Sequence, residues 1–590
     1  DIITRGYHHP EPVGLLNDPA LFTDAQQVRF AGNNYYAAHM RTLGLMALAL
    51  DPADDADGRL RAYLDVATGS YLYIFNHLVT TDARGGLLPE GMEYSPQTAS
   101  YVTQFLWALQ TTQTPHTFDR AFWEAFIPAY LHSLSPAPHT VDRDGETFEE
   151  YQPAWYGDAQ DYRLADFINA FGPLAQVLDD AALTNALRWS AIHTAPGGEA
   201  RLLDRARSPN DFREAILYFM LLDPAAPAPT DPRPGLPLDF TAAGLNRLFS
   251  RSSWEAEAAW FNYRLSWNSI DHQMADGNHF EFYRNGEWLT KGRTGYADIA
   301  EGIASSEFYN VLAIQNTRPF ERDDADWRVD LWQRGSQWNL VASGDPTLAA
   351  LSARAEFAYA TGEATNLYNS AYEGVTDVLH ASRSIFWLKP DVIMVYDRAE
   401  TKAEGQFKRW WLQLAEPATV NGAQAQSATA NGQQLFVTAL LPQGITFQAV
   451  NETDEHTAST VARDEPMQVR LMAEAPGAPR SAQFLHVLEG ADAGATISPV
   501  TLIQSADQRW EGAAVGGAVV LFARAFDQTL TEALTWAAPA AAQTHYVTGL
   551  TPETGYSVEI TTSSEGIELT LRPGGALVAD AGGVLKIETP

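Results

Sequence analysis

Apolar residues recur at helical spacing through roughly the first 220 residues and alternate at strand spacing after about residue 240. The stretch Tyr36–Leu50 is rich in strong helix formers and stops at Asp51-Pro52, which predicts a helix. The same reading predicts helices over Gly58–Leu78, Ser95–Gln110, Asp119–Ser133, Asp161–Asp180, Ala181–His193 and Asp211–Leu222. Tyr101, Phe105 and Leu109 mark the apolar stripe of one of them. Such a succession suits a layered bundle, a solenoid or an α/α toroid, and no repeat is crisp enough for a regular solenoid.

Residues 223–238 carry Pro224, Pro227, Pro229, Pro232, Pro234 and Pro237. Proline cannot continue a helix and favours extended chain, so a linker is expected between a helical domain (1–222) and a strand-rich region. Strands are predicted at His279–Tyr283, Ser384–Lys389, Val392–Tyr396 and Phe407–Leu412, with turns such as Asn285-Gly286 between them. Further strands are predicted at Phe484–Leu488, Gly517–Phe522 and Tyr556–Ile560. The strand region reads as one large sandwich or as two units, divided here as 239–415 and 416–590.

Composition narrows the function. The 590 residues hold 39 basic and 73 acidic side chains, a net charge of −34, which disfavours general nucleic-acid binding. A local cluster of arginines can still bind an anion, because surface fields decay over about 8 Å at physiological salt. There is no cysteine, so disulfides and thiolate sites are excluded. The apolar run Leu43–Leu50 is too short to cross a bilayer, and no membrane partner is expected. The chain starts at Asp1 without a visible leader, so a processed or trimmed chain is expected. Many of the 16 Trp and 23 Tyr are expected in the core; a surplus of such rings often lines carbohydrate clefts, and composition alone does not separate these roles.

Three clusters carry candidate chemistry. The densest runs from Ser266 to Tyr283 and contains Asp271, His272, Asp276 and His279, with Arg293 and Tyr296 shortly after it. On a strand after Gly277, Phe280 and Phe282 face one side, and His279, Glu281 and Tyr283 the other. Either histidine can equally serve by hydrogen-bonding backbone. The second cluster, Gly32–Arg41, places Asn34 and Ala38 on one helix face and His39 one turn after Tyr35. The third is Glu90-Gly-Met-Glu-Tyr94, which Gly91 and Pro96 place in a loop leading into a helix, where Glu90 or Glu93 can cap or solvate the helix start.

These features, in this order, resemble the heparinase II/III-like polysaccharide lyases. The resemblance rests on Asp271-His272, Asp276, Phe280, Gly295-Tyr296 and the stretch His380–Asp397 around Lys389-Pro390-Asp391. It implies an α+β multidomain fold, with an N-terminal incomplete (α/α) toroid followed by antiparallel β-sandwich layers. It also implies a polysaccharide lyase that cleaves a uronic-acid-containing polysaccharide by β-elimination. Tyr94, in its Glu-Gly-x-x-Tyr context, is then the acid or the combined base and acid, and His272 lies near the carboxylate or acts as base. Asn34 and His39 are preferred for neutralising the carboxylate. Asn33, Glu90, Arg41, Arg293 and Tyr296 are expected substrate contacts, and Arg41, Arg84 or Arg293 is the cation a phenolate base requires. Relatives hold a zinc in the sheet domain, but Met274 and Tyr309 stand at two of its ligand positions, so no cofactor and no zinc are expected. Asp271 and Asp276 leave another divalent metal as an alternative.

The expected partner is an anionic polysaccharide or oligosaccharide, and the expected location is secreted, extracellular or periplasmic. A densely sulfated polymer is less expected than a plain uronate polymer such as alginate or glucuronan, given 39 basic residues. Two alternatives stand beside the lyase: a glycoside hydrolase on the same scaffold using Glu90, Glu93 and Asp158, and a non-catalytic glycan-binding protein.

Overall fold

Short polar side chains set the helix starts. Asn33 accepts the Tyr36 N–H at 3.2 Å, and Asp119 accepts that of Phe122 at 2.7 Å, each satisfying a donor that the first turn leaves open. The computed structural model describes residues 17–143, 145–157, 164–207, 219–221, 223, 225–270, 272–295, 303–316, 334–337, 343–371, 374–451, 465–564 and 566–589. The helices Asn34–Ala49, Gly91–Thr111, Arg120–His132, Leu164–Leu178 and Ala181–His193 occupy the predicted stretches. The expected helix over Gly58–Leu78 is broken by a π-helical turn, Ala67–Tyr71, between Arg59–Val66 and Leu72–Thr80. Most of the expected helix Asp211–Leu222 lies outside the described residues. A hairpin, Leu134–Arg143 with Glu146–Pro153, interrupts the helices; Pro136 and Pro138 oppose helix there, and the strands pair antiparallel with Val141 opposite Phe148.

The sheets stack outward from the helices. A five-stranded sheet (Asp239–Ala242, Arg247–Arg251, Trp260–Arg264, His279–Arg284, Glu287–Thr290) lies against the helices. Its two faces are both buried, and side-chain alternation divides its residues between two cores. Phe249, Trp260, Tyr283 and Trp288 join the helical core, while Phe261, Tyr263, Phe280 and Phe282 join the core of the next layers. Those layers are a four-stranded sheet and an eight-stranded sheet that runs from Thr347 to Ala491. The division expected between residues 415 and 416 runs through the eight-stranded sheet, whose strands lie on both sides of it. The sheet's outer face packs through Phe386, Met394, Tyr396 and Leu485 onto Val520 and Phe522 of a C-terminal pair of sheets that starts at Thr501. Pairing is antiparallel throughout the described sheets except between Ala518–Leu521 and Thr544–Val547.

Buried imidazoles make this fold acid-sensitive. His132 stacks on Phe240 and meets Trp254 edge-on, with no described hydrogen-bond partner for either ring nitrogen. Burial, then the neighbouring Arg251, pushes its pKa down to about 2. His279 and His486 are likewise held well below the ordinary range, burial again first. Below about pH 6.5 the unfolded chain takes up protons that the native state refuses, so stability falls with pH, by about 1.4 kcal/mol per unit for each such histidine. Urea unfolding between pH 7 and 5 should show this slope, and His132→Phe should reduce it by one histidine's share.

Candidate active site

The helix Gly91–Thr111 starts earlier than the pattern suggests. Gly91, at φ +87°, turns the chain directly after Glu90, and Pro96 sits inside the second turn instead of at the helix start. Tyr94 therefore stands on the first helical turn, not in a loop. Gln97, Tyr101 and Gln104 share its face at helical intervals. The helix Asn34–Ala49 lies alongside: Asn34 Nδ2 donates to Gln97 Oε1 at 3.2 Å, and Arg41 Nη1 donates to Gln104 Oε1 at 3.2 Å. The Arg41 guanidinium covers the Tyr101 ring, 4.3 Å from its centroid. Tyr94, Gln97, Tyr101, His39 and Arg41 are all half-buried, so this seam of polar and aromatic groups reaches the surface.

Beneath the seam, Glu90 is fully buried and accepts from Asn33 Nδ2 at 2.5 Å and from the Asn34 backbone at 2.7 Å. The carboxylate thus sits at the positive end of the Asn34 helix. Asn33 and Glu90, expected as substrate contacts, face one another inside the scaffold.

The sheet domain supplies the facing group. His272 stacks on Tyr94, ring centroids 3.8 Å apart and planes within 16°. Its backbone is left-handed (φ 65°), a conformation rare for non-glycine residues and often found at functional sites. The loop that carries it is locked from within: Gln273 accepts from the Ser269 and Ile270 N–H groups and donates to the Trp267 carbonyl at 2.8 Å. It is also tied to the helices. Trp267 Nε1 donates to the Asp82 carbonyl, and Arg29 covers the Trp267 ring while pairing with Asp82 at 2.7 Å and Asp345 at 2.6 Å.

A third segment closes the junction. A Cβ on Gly157 would lie 2.7 Å from the Glu90 carbonyl oxygen, 2.8 Å from Gly91 Cα and 2.9 Å from the His272 carbonyl oxygen. Tyr156 O receives the Met92 N–H at 2.9 Å, which fixes the turn below Tyr94. Arginines of the five-stranded sheet hold this segment: Arg247 donates to the Ala154 carbonyl, and Arg264 to that of Trp155. Arg264 also pairs with the buried Asp276 at 2.8 Å. Burial raises the Asp276 pKa, and Arg264 and then Arg247 oppose that rise. Burial lowers the pKa of Arg247 to about 10.

The remaining predicted residues lie apart or outside. Arg293 is buried in the sheet region beside Phe308, and burial lowers its pKa. Arg84 is exposed, in the turn whose carbonyl receives the Gly244 N–H. Arg41 lies over Tyr101, seven residues past Tyr94, or about 10 Å along the helix axis. His279 is buried, its ring nitrogens 2.9 and 3.1 Å from the backbone nitrogens of Asn310 and Gly292. Tyr296, Asp271 and Asp158 lie outside the described residues. Gln97, Arg29 and Gln273 were not anticipated; only Gln97 had a sequence signal, one helical turn after Tyr94.

The residues present do not fit a zinc ion. Met274 and Tyr309 pack together with Ile303, Phe308 and Val311 in an apolar cluster, and a thioether and a phenol are poor zinc ligands. Among the described residues no group of three or more His, Asp or Glu side chains is placed to hold a metal.

No protein-family model and no curated protein matches the sequence. Solved structures do resemble this one. A mutant of the heparan sulfate lyase HepC from Pedobacter heparinus is 12% identical, with a TM-score of 0.52 over 85% of this chain and 68% of that one. A heparinase III is 13% identical, with a TM-score of 0.53 over 84% of this chain and 69% of that one. The chain has the fold of the heparinase-like polysaccharide lyases, a helical toroid set against antiparallel β-sandwich layers.

Proposed function

We propose that this protein is a polysaccharide lyase that cleaves a uronate-containing polysaccharide by β-elimination at Tyr94 and His272. The observation that carries the reading is their stacked contact, 3.8 Å between ring centroids, across the junction of the helical and sheet domains. Both rings are half-buried, so a phenol and an imidazole present proton-transfer groups to the same surface position. In the reaction a base removes the C5 proton of the uronate, the electron pair forms the C4–C5 double bond, and the C4–O4 bond breaks. The Tyr94 hydroxyl gives its proton to the departing O4, and His272 or the Tyr94 phenolate takes the one from C5. Each well-placed group of this kind contributes about 10²–10⁴-fold.

Removing the C5 proton puts charge beside a carboxylate, so that carboxylate must be neutralised. Asn34 and His39 take this role, with Gln97 orienting the Asn34 amide. Arg41 and Tyr101 extend the site toward neighbouring sugars. Asn33 and Glu90 act from beneath by fixing the start of the Asn34 helix. The hydrolase alternative has less support, because both Glu90 carboxylate oxygens already accept, from Asn33 Nδ2 and the Asn34 N–H.

The substrate class is a uronate polymer, with plain uronates such as alginate or glucuronan ahead of densely sulfated chains; the similar HepC acts on heparan sulfate, also an anionic polysaccharide. The working location is outside the cytoplasm, and no described helix is long and apolar enough to cross a membrane. Catalysis requires no zinc, so metal-washed protein should contain none by elemental analysis and keep its activity. A panel of uronate polymers tests the function: elimination creates a conjugated unsaturated uronate, and ultraviolet absorbance should rise on at least one polymer. Folded protein that gives no rise on any of them contradicts the proposal.

A further inference from the structure

A second cleft lies far from this site, on the outer face of the eight-stranded sheet. It has a volume of about 630 Å³, within the range of small-molecule sites. One wall comes from the strands Val378–Leu388, Val392–Thr401 and Ser481–Ala491, through His380, Arg398 and Gln483. The other comes from the C-terminal sheets, through Gln508, Arg524 and Phe526. The walls are joined rigidly. Arg398, buried, donates Nε to the Arg524 carbonyl at 3.0 Å and to the Ala523 carbonyl at 3.2 Å, and the Tyr396 hydroxyl donates to Glu511.

What the cleft leaves unused defines its ligand. Arg524 is exposed and has no hydrogen-bond or ion-pair partner among the described side chains, in a protein of net charge −34. The Gln483 and Gln508 amides and the Ser481 hydroxyl also line the cleft without a described hydrogen-bond partner. Gln508 has a left-handed backbone, φ 58°, at the turn that presents it. Phe526 is half-buried, its ring 5.4 Å from that of His380, and offers an aromatic face beside these polar groups. The nearby Glu400 carboxylate is occupied by Arg480 at 3.1 Å, whereas Asp527 is exposed at the rim.

Among the lining groups left without a described partner, one arginine, two amides, a hydroxyl and an exposed carboxylate stand beside one aromatic face, and together they match a sugar ring that bears a carboxylate. We infer that this cleft is an accessory binding site for an acidic oligosaccharide. Arg524 takes the carboxylate, Phe526 stacks on the C–H face of the pyranose, and Gln483, Gln508 and Asp527 engage hydroxyls. The five-stranded and eight-stranded sheets separate it from Tyr94 and His272, so it holds the polymer without touching the reacting ring. The choice of an acidic sugar rests on the lyase reading; the existence of the site does not.

Calorimetric titration tests it, with the tetrasaccharides of 1,4-linked glucuronate, mannuronate and galacturonate as probes and the full chain carrying Tyr94→Phe so that probes stay uncut. At least one probe should show a binding event that Arg524→Glu abolishes and Phe526→Ala weakens about tenfold. Arg524 is exposed, so its replacement leaves folding intact, which circular dichroism verifies. No binding of any probe, or binding that neither substitution changes, overturns the inference. Binding lost on Arg524→Glu while the unsubstituted chain produces no unsaturated product keeps the cleft and refutes the lyase.

Discussion

Replacing Tyr94 with phenylalanine is expected to lower turnover on the recognised polysaccharide by about 10²–10⁴-fold while leaving substrate affinity and fold nearly unchanged. The substitution removes only the hydroxyl. The ring that stacks on His272 at 3.8 Å remains, and so do the hydrogen bonds beneath it between Glu90, Asn33 and Asn34. A fall in kcat without a matching rise in KM identifies a group used only in the transition state. Unchanged kcat in Tyr94→Phe removes the phenol from the mechanism.

The second large effect concerns the junction. Arg264 and Asp276 form a buried ion pair at 2.8 Å, and Arg264 also holds the Trp155 carbonyl just before the segment packed beneath Tyr94 and His272. Arg264→Met strands a buried carboxylate and is expected to cost about 3–5 kcal/mol. Removing both charges, in Arg264→Met with Asp276→Leu, should recover most of that loss, because an apolar pair avoids the desolvation of two ions. The double variant should still turn over slowly, since neither side chain restores the contact with Trp155. Urea unfolding and kcat separate the two effects. A double variant as unstable as the single one shows that the ion pair is not the source of the loss.

The sequence carried the elements well wherever one local signal governed them. Strong helix formers ending at Asp51-Pro52, and the alternation of His279–Tyr283, gave a helix and a strand close to the observed bounds. The hairpin at 134–153 escaped because it is short and sits among helical patterns. Tyr94 and His272 were legible as separate motifs, and their contact was an expectation from family resemblance. The reason they meet was not legible. It lies in Arg29, which joins Asp82 and Asp345, 53 and 316 residues away, and in Gly157, whose missing side chain lets three segments converge. Polar type alone also misled. Asn33 and Glu90 have the chemistry of substrate contacts, yet their burial and mutual hydrogen bond place them under the site. The sequence singled out neither Arg247 nor Arg264; in the structure both point inward from their strands and hold carbonyls of the helical domain.

The central claim is that the phenol and imidazole at the domain junction break a glycosidic bond without adding water. Mass spectrometry of the products formed in heavy-oxygen water tests it most directly. Elimination predicts an unsaturated uronate at the new non-reducing end, lighter by one water than a hydrolysis product, with no heavy oxygen introduced by cleavage. Saturated fragments carrying one heavy oxygen per cut would show hydrolysis and contradict the account.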